Sequence, residues 1–443
     1  MEPSTVNIIL ILLIVSVAMV AIFRRFNMPS VLAYLLSGVI VGPYGLEWVA
    51  HTDNTHFLAE FGVVFLLFTI GLEFSIAKIV SLKKEVIGLG GAQILFTVSI
   101  AVLFALLFDL PVLEAIIIGG IIAMSSTAIV TKLLNDQKEM KSKHGKLSVA
   151  ILLAQDIAVV PFLILIVVLA GNQQNSLLFE LSWAMLKAVL VITAMLLAGW
   201  WILRPLFAKI VAVHSSELFT LTSLLFAIAA AWLSHYSGLS FALGAFLAGM
   251  VLGETEFRYQ LEADIRPFRD VLLGLFFLTM GMMLNLGVLV NNIIWISLLV
   301  VGLILFKWVT VMLLSLIFKA SVNESLRTGL LLAQGGEFGM ALLALAITNG
   351  LLPEDHAQLI LASLIISMTL SSVLIKHNER ISRLIWHVSG SNPQPLPLHL
   401  TDLDDKPSNH AIIAGFGSLG LALGRLLHQQ GFEYIGIDQN VSK

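Results

Sequence analysis

The chain is a succession of apolar stretches, each about as long as a lipid bilayer is thick, separated by short polar joints. A hydrocarbon layer about 30 Å thick takes about 20 helical residues to cross. Thirteen stretches fit that description, near residues 5–23, 28–46, 57–77, 86–108, 112–134, 147–170, 180–203, 217–236, 238–254, 267–285, 289–318, 325–349 and 356–376. No water inside such a layer satisfies a bare backbone, so the stretches must be helices. Hydrophobic residues make up 58% of the sequence and charged residues 12%, which excludes an ordinary soluble domain. The expectation is an all-α polytopic membrane protein of about thirteen spans, with the lipid bilayer as its first partner.

Val6–Phe23 has no basic segment before it and Arg24-Arg25 after it, so it reads as a retained helix, not a cleaved signal. Lysine and arginine orient the bundle. With the N-terminus outside, all of them fall on the cytoplasmic side except Lys187 and Lys307, inside stretches, and Lys406, Arg425 and Lys443, in a cytoplasmic tail. Cysteine is absent from the sequence, which excludes disulfides, thiolate metal sites and cysteine catalysis. A net charge of −3 points to no nucleic-acid partner.

Corresponding stretches match weakly at an offset of about 210 residues. Met28–Gly42 parallels Leu239–Gly253, Glu60–Gly71 parallels Asp270–Gly281, and Gly119–Thr127 parallels Gly329–Glu337. These are stretches two and nine, three and ten, five and twelve. An odd number of helices separates each pair, so the halves, about 5–170 and 217–376, run in opposite directions across the membrane. Inverted repeats are a signature of secondary transporters, whose sites lie at the midplane beside broken helices. Chance sharing of Leu, Gly and Ala explains one pair but not three in one register.

Ser125-Ser126-Thr127 and Gly335-Gly336-Glu337 occupy equivalent midspan positions. Small and hydroxyl residues let a backbone leave helical geometry and solvate the groups it frees, so both helices are expected to break there. Small-residue helix packing is the plainer account of the first triplet taken alone. Glu337 would then face positive half-helix N-termini.

Asp156 stands near the middle of Leu147–Ala170 with Gln155 beside it. A charge at that depth costs at least about 2.5–3.5 kcal/mol and marks an ion or proton site. Desolvation favours the neutral acid and a nearby cation favours the carboxylate, so proton and monovalent cation compete for one group. Gln155, backbone carbonyls and the hydroxyls of Ser125, Ser126 and Thr127 are the expected co-ligands. Gln155 does not titrate, so one cation per proton is the simplest stoichiometry. Lys307 either pairs with Asp156 in the empty site or closes a helix end. Gln93 and Asn285 are expected interhelical hydrogen-bond partners, and Lys187 is placed to snorkel.

After a Pro-, Ser- and Asp-rich linker at 388–409, the tail reads strand, G-x-G-x-x-G turn, helix, strand. Gly415, Gly417 and Gly420 allow the tight turn and the approach of a pyrophosphate, and Asp438 is placed for a ribose hydroxyl. Two strands do not make a stable doubly wound sheet. Residues 410–443 therefore read as the start of a Rossmann-like α/β domain.

LLAQDIAVVP (152–161), SSTAI (125–129), AQGGEFGMAL (333–342), EFGVVFLLFTIGLEF (60–74) and LEADIRPFRDVLLGLFFLTMGM (261–282) resemble the monovalent cation:proton antiporters, and within them the Kef-type potassium efflux branch. The resemblance implies a homodimer of NhaA-like fold in a bacterial inner membrane, exchanging cytoplasmic K+ for external H+. It implies a tail that binds a nucleotide, AMP or NAD(H), and small-molecule regulation. By the same resemblance Asp156 is the ion- and proton-carrying carboxylate, Gln155 replaces a second acid of sodium-type relatives, and Lys307 is the core lysine. Glu262 and Asp264 resemble the acidic regulatory loop after the ninth span. A sodium/proton antiporter would share nearly all these features; a ligand-gated channel is the more distant alternative. No nucleophile–base pair accompanies the midplane residues, so an enzyme is not expected.

Overall fold

A computed structural model of the chain describes residues 5–26, 28–49, 53–73, 80–107, 109, 111–171, 177–198, 201, 204–213, 215–237, 240–388, 410–415 and 417–437. Two compact units result, Met1–Trp386 and His387–Lys443.

The first unit is helical. In chain order it contains α1 (Thr5–Arg25), α2 (Ser30–Val41), α3 (Asp53–Glu73), α4 (Lys84–Leu107), α5 (Val112–Ala123), α6 (Thr127–Asp136), α7 (Lys143–Ala170), α8 (Leu177–Ala198) and α9 (Arg204–Ala212). There follow α10 (Ser216–Tyr236), α11 (Phe241–Gly253), α12 (Arg258–Met282), α13 (Leu286–Asn291), α14 (Ile293–Ile317), α15 (Val322–Leu331), α16 (Glu337–Thr348), α17 (Glu354–Lys376) and α18 (Asn378–Val388). Among the described residues, six helices are long and apolar enough to cross a membrane by length and composition, one being the interrupted pair α5–α6. Local sequence sets the starts. Ser142, Ser240 and Ser321 accept the first free amides of α7, α11 and α15, the last in a reciprocal capping box with Glu324. Pro29, Pro111 and Pro353 immediately precede α2, α5 and α17.

One expectation needs correction here. Glu262 and Asp264 stand on the first turns of α12, not in a loop. Leu261 and Ile265, one helical turn apart and both buried, fix that segment as helix. The side chain of Glu262 lies outside the described residues.

Two close helix crossings organise the region from α1 to α12. At Gly38 an added Cβ would lie 1.9 Å from the Leu278 carbonyl oxygen, and at Gly281 2.1 Å from that of Leu35, so α2 and α12 touch backbone to backbone. At Gly249 it would lie 1.9 Å from the Phe68 carbonyl oxygen, and at Gly71 2.2 Å from that of Phe246, which is the same contact between α11 and α3. Each residue of the second crossing is the partner of one in the first at the offset of about 210 seen in the sequence.

The second unit is a β-α-β element. β1 (Ala411–Ala414) and β2 (Tyr434–Ile437) pair in parallel, Ala411 opposite Tyr434, with α19 (Ser418–Gln429) between them in sequence. Gly415 turns the chain at φ +91°, and a Cβ on Gly420 would stand 2.2 Å from the Gly415 carbonyl oxygen.

Candidate ion site

The site is built from two interrupted helices. α5 ends at Ala123 and its continuation α6 starts at Thr127, with Met124 and Ser126 in extended conformation. α15 ends at Leu331 and α16 starts at Glu337, with Gly336 extended. The two interruptions lie against each other: a Cβ on Gly336 would fall 2.4 Å from the carbonyl carbon of Ser125. A larger residue has no room at that point.

Interrupting a helix frees backbone groups that the interior must satisfy. Lys307 Nζ, fully buried on α14, donates to the Met124 carbonyl at 2.6 Å, the Gln334 carbonyl at 2.7 Å and Ser125 Oγ at 2.9 Å. Three donated bonds are all that an ammonium has to give. Ser125 Oγ passes its own proton to the Leu332 carbonyl at 2.9 Å. Met124 and Gln334 are equivalent positions of the two halves, so one lysine closes both half-helices at their negative C-terminal ends. Of the two roles open to Lys307, the geometry is that of helix-end closure, and it leaves no donor for Asp156.

The freed amides are met by side chains. Ser125 N–H donates to Gln155 Oε1 at 2.8 Å, and Gln155 Nε2 donates to Gln93 Oε1 at 2.8 Å. Gln93 Nε2 continues to the Ala123 carbonyl at 3.3 Å. Ser126 Oγ caps α6 through Ile129 N–H at 3.2 Å, and Gly335 N–H donates to Ser367 Oγ at 3.1 Å. Glu337 Oε1 accepts from Ala128 N–H at 3.1 Å, so this carboxylate faces the N-terminus of α6 while standing in the first turn of its own helix. Cation at the C-terminal ends and acid at the N-terminal ends match the helix dipoles.

Asp156 is 6% exposed on α7, and its Oδ1 accepts from Thr127 Oγ1 at 3.3 Å. Five residues on, Pro161 lies inside the helix. It lacks the N–H that would bond the Ile157 carbonyl in an uninterrupted helix. Among the described residues, Glu337 Oε2 and both amide atoms of Gln334 are buried without a hydrogen-bond partner.

The structure thus gathers Gln155, Asp156, Ser125, Ser126, Thr127, Lys307, Gly335, Gly336 and Glu337 around two helix breaks. Within that group the hydroxyls divide: Thr127 turns to Asp156, whereas Ser125 and Ser126 serve Lys307 and the α6 cap. Sequence reasoning passed over Gln334, although it stands in the same AQGGEF segment, and did not foresee that Gln93 would carry Gln155. The Asn285 side chain is not an interhelical partner among the described residues: its Oδ1 caps α13 by accepting from Gly287 and Val288 N–H, and it is the backbone N–H of Asn285 that donates to Gln358 Oε1 at 3.0 Å. Lys187 stands 5.8 Å over the Trp183 ring. Gly415, Gly417 and Gly420 belong to the second unit, and Asp438 lies outside the described residues.

A polar cluster outside the spans ties the halves at one end. Arg327 Nη2 donates to both carboxylate oxygens of Glu139 at 2.7 Å, Arg327 Nε donates to Asn378 Oδ1 at 2.6 Å, and His144 Nε2 stands 3.2 Å from Glu139 Oε2. Burial pushes the Glu139 carboxyl up, but the bonds and charge of Arg327, with His144, outweigh it and hold the group below the ordinary 4.5.

Interrupted helices meeting beside buried carboxylates are the architecture of a secondary-transporter core. The chain belongs to the sodium/hydrogen exchanger transmembrane family, whose pattern matches residues 9–377. It is 42% identical over 441 residues to the putative K(+) efflux antiporter KefB of Alkalimonas amylolytica, covering 98% of this chain and 66% of that protein. It is 38% identical over 450 residues to K(+) efflux antiporter 1, chloroplastic, of Arabidopsis thaliana, covering 99% of this chain and 37% of that one. The chain therefore spans less than two thirds of either relative. In fold it is similar to the sodium proton antiporter MjNhaP1 of Methanocaldococcus jannaschii, with a TM-score of 0.63 at 19% identity over 86% of this chain and 97% of that one.

Proposed function

We propose that the chain exchanges a monovalent cation, K+, for H+ by alternating access, with Asp156 as the group that carries either one. The observation behind this reading is the setting of Asp156: a buried carboxylate, bonded to the first hydroxyl of a half-helix, in a core whose neighbouring amide does not titrate. Facing the cytoplasm, the carboxylate releases its proton and takes the cation, with Thr127 Oγ1 an adjacent oxygen for the shell. Facing outward, protonation expels the cation. Gln155, spent on Ser125 and Gln93, holds the break in shape and keeps the count at one cation per proton.

K+ over Na+ rests on the names of the relatives, both K(+) efflux antiporters; the fold neighbour is a sodium proton antiporter. Thirteen spans in inverted repeats, with the N-terminus outside and the tail cytoplasmic, fit the paired glycine crossings and the distribution of Lys and Arg. A homodimer in a bacterial inner membrane rests on the family resemblance. Regulation through the tail is part of the same reading. The close contact of Gly420 with Gly415 and the start of α19 after Gly417 fit a nucleotide phosphate, AMP or NAD(H), held by the helix N-terminal amides. Asp264 and Glu262 belong to that control by the family resemblance alone.

The test is ion exchange in proteoliposomes with K+, Na+ and Li+ gradients. Wild type should move protons against K+ without net current, and Asp156→Asn should abolish the exchange. Cation-driven proton movement that persists in Asp156→Asn removes the assignment, and a current that scales with turnover removes the stoichiometry.

A further inference from the structure

A cavity of about 530 Å³ lies between α4, α5, α14 and α17, away from the residues of the ion site. Its walls are apolar, among them Ile100, Phe104, Ile118, Leu303 and Phe306. The two wall hydroxyls are already spent: Thr97 Oγ1 donates to the Gln93 carbonyl and Ser363 Oγ to that of Leu359. Water in a cavity needs two to four polar partners, which the apolar walls away from Glu114 and His356 do not offer. A space of this size has room for about 18 groups of roughly 30 Å³ each, the size of a water or a methylene.

One part of the lining is polar. Glu114, in the first turn of α5, and His356, in the first turn of α17, line the cavity and stand 3.7 Å apart. Glu354 and Asp355 share the first turn of α17 and are exposed. Glu114 is thus the carboxylate at the cavity's polar end, with His356 beside it, and Glu354 and Asp355 add negative charge at the same helix start without lining the cavity. Such a rim attracts a cationic group and repels a headgroup that is only anionic.

We propose that this cavity seats one acyl chain of a phospholipid whose headgroup carries an ammonium, the chain lying between α5 and α14 and the ammonium on Glu114. Apolar walls at spanning-helix depth select the chain, and the acidic rim selects the head. The site sits against α5, one of the interrupted helices, and against α14, which bears Lys307, so its occupant touches both elements that close the breaks.

Gly302 offers a clean probe. It lines the cavity on α14, and an added Cβ there meets nothing within 4 Å, so a large side chain enters open space without displacing backbone. The experiment is native mass spectrometry of the purified protein offered equal phosphatidylethanolamine and phosphatidylglycerol of the same chain length. Wild type should retain phosphatidylethanolamine about tenfold over phosphatidylglycerol, the factor one charge-assisted hydrogen bond supplies. Gly302→Phe should lose the bound lipid while Gly302→Ala keeps it, and Glu114→Gln should keep a lipid but lose the preference. Equal retention of the two lipids by wild type, a preference for phosphatidylglycerol, recovery of a fatty acid or other apolar molecule in place of phospholipid, or undiminished lipid on Gly302→Phe overturns the proposal. The wild-type competition requires no variant to fold.

Discussion

Lys307 is where one residue's energetics and one residue's chemistry separate most sharply. A buried ammonium is costly unless every proton is donated to a good acceptor, and here two backbone carbonyls and a hydroxyl meet that demand. Removing the side chain strands the Met124 and Gln334 carbonyls, at about 1–3 kcal/mol each. Lys307→Met is therefore expected to lower the melting temperature strongly whatever the state of Asp156. A double-mutant cycle with Asp156→Asn distinguishes closure from charge pairing. Additive losses fit closure; if Asp156→Asn restores the stability that Lys307→Met removes, the two charges are coupled and the closure account is wrong. Thr127 supplies the complementary test on the ion side. Thr127→Val keeps the shape and removes the hydroxyl that meets Asp156, so KM for the cation should rise several-fold with little change in stability; an unchanged KM would exclude that hydroxyl from the shell.

At the scale of elements, the broken helices were the most legible part of the site. Ser-Ser-Thr and Gly-Gly-Glu in otherwise apolar stretches are residues a continuous membrane helix does not need, and both helices stop there. Lys307 and Gln93 stand out in the sequence as polar groups inside apolar stretches, but which freed groups they meet, and that Ser367 joins them, was not legible, because these residues come from helices distant in sequence. The start of α12 was misread for a related reason: its acidic residues look like a solvated loop until Leu261 and Ile265 are seen to be buried on one face. Gly336 gives the element-scale prediction. A methyl there would lie 2.4–2.8 Å from Ser125 and Ser126 backbone atoms, which cannot rotate away as a side chain can. Gly336→Ala should cost about 1–3 kcal/mol by overpacking and depress exchange, because it pushes the two interruptions apart. Gly91→Ala, where nothing lies within 4 Å, is the matched control. Equal melting temperatures for the two variants would mean that the interruptions do not bear on each other.

Across the whole molecule the repeat accounts for the architecture, and the positions where the halves differ carry the buried polar chemistry. The contact of Gly38 with Leu278 recurs as that of Gly249 with Phe68, and the Lys307 acceptors Met124 and Gln334 correspond in the same way. A weak internal match in leucines and glycines was enough to foresee those pairs, since glycine spacing is what a close crossing requires. Asp156, by contrast, has Ile366 at the equivalent position, so this carboxylate stands in one half only. The halves are also fastened by charge, Glu139 from the first to Arg327 from the second, and this tie has a defined pH dependence. Because Glu139 titrates below its ordinary 4.5 in the folded chain, its contribution is complete above about that pH and is lost as pH falls through the lower folded value. Arg327→Gln removes the guanidinium that does most to lower Glu139 and leaves burial opposed by His144 alone. The variant should melt lower than wild type near neutral pH, by a margin of about 2 kcal/mol, and the gap should narrow as pH falls below the ordinary 4.5 and Glu139 takes up a proton. Melting curves of both proteins between about pH 7 and 4 measure it, and a gap constant over that range would show that Glu139 is not what Arg327 holds.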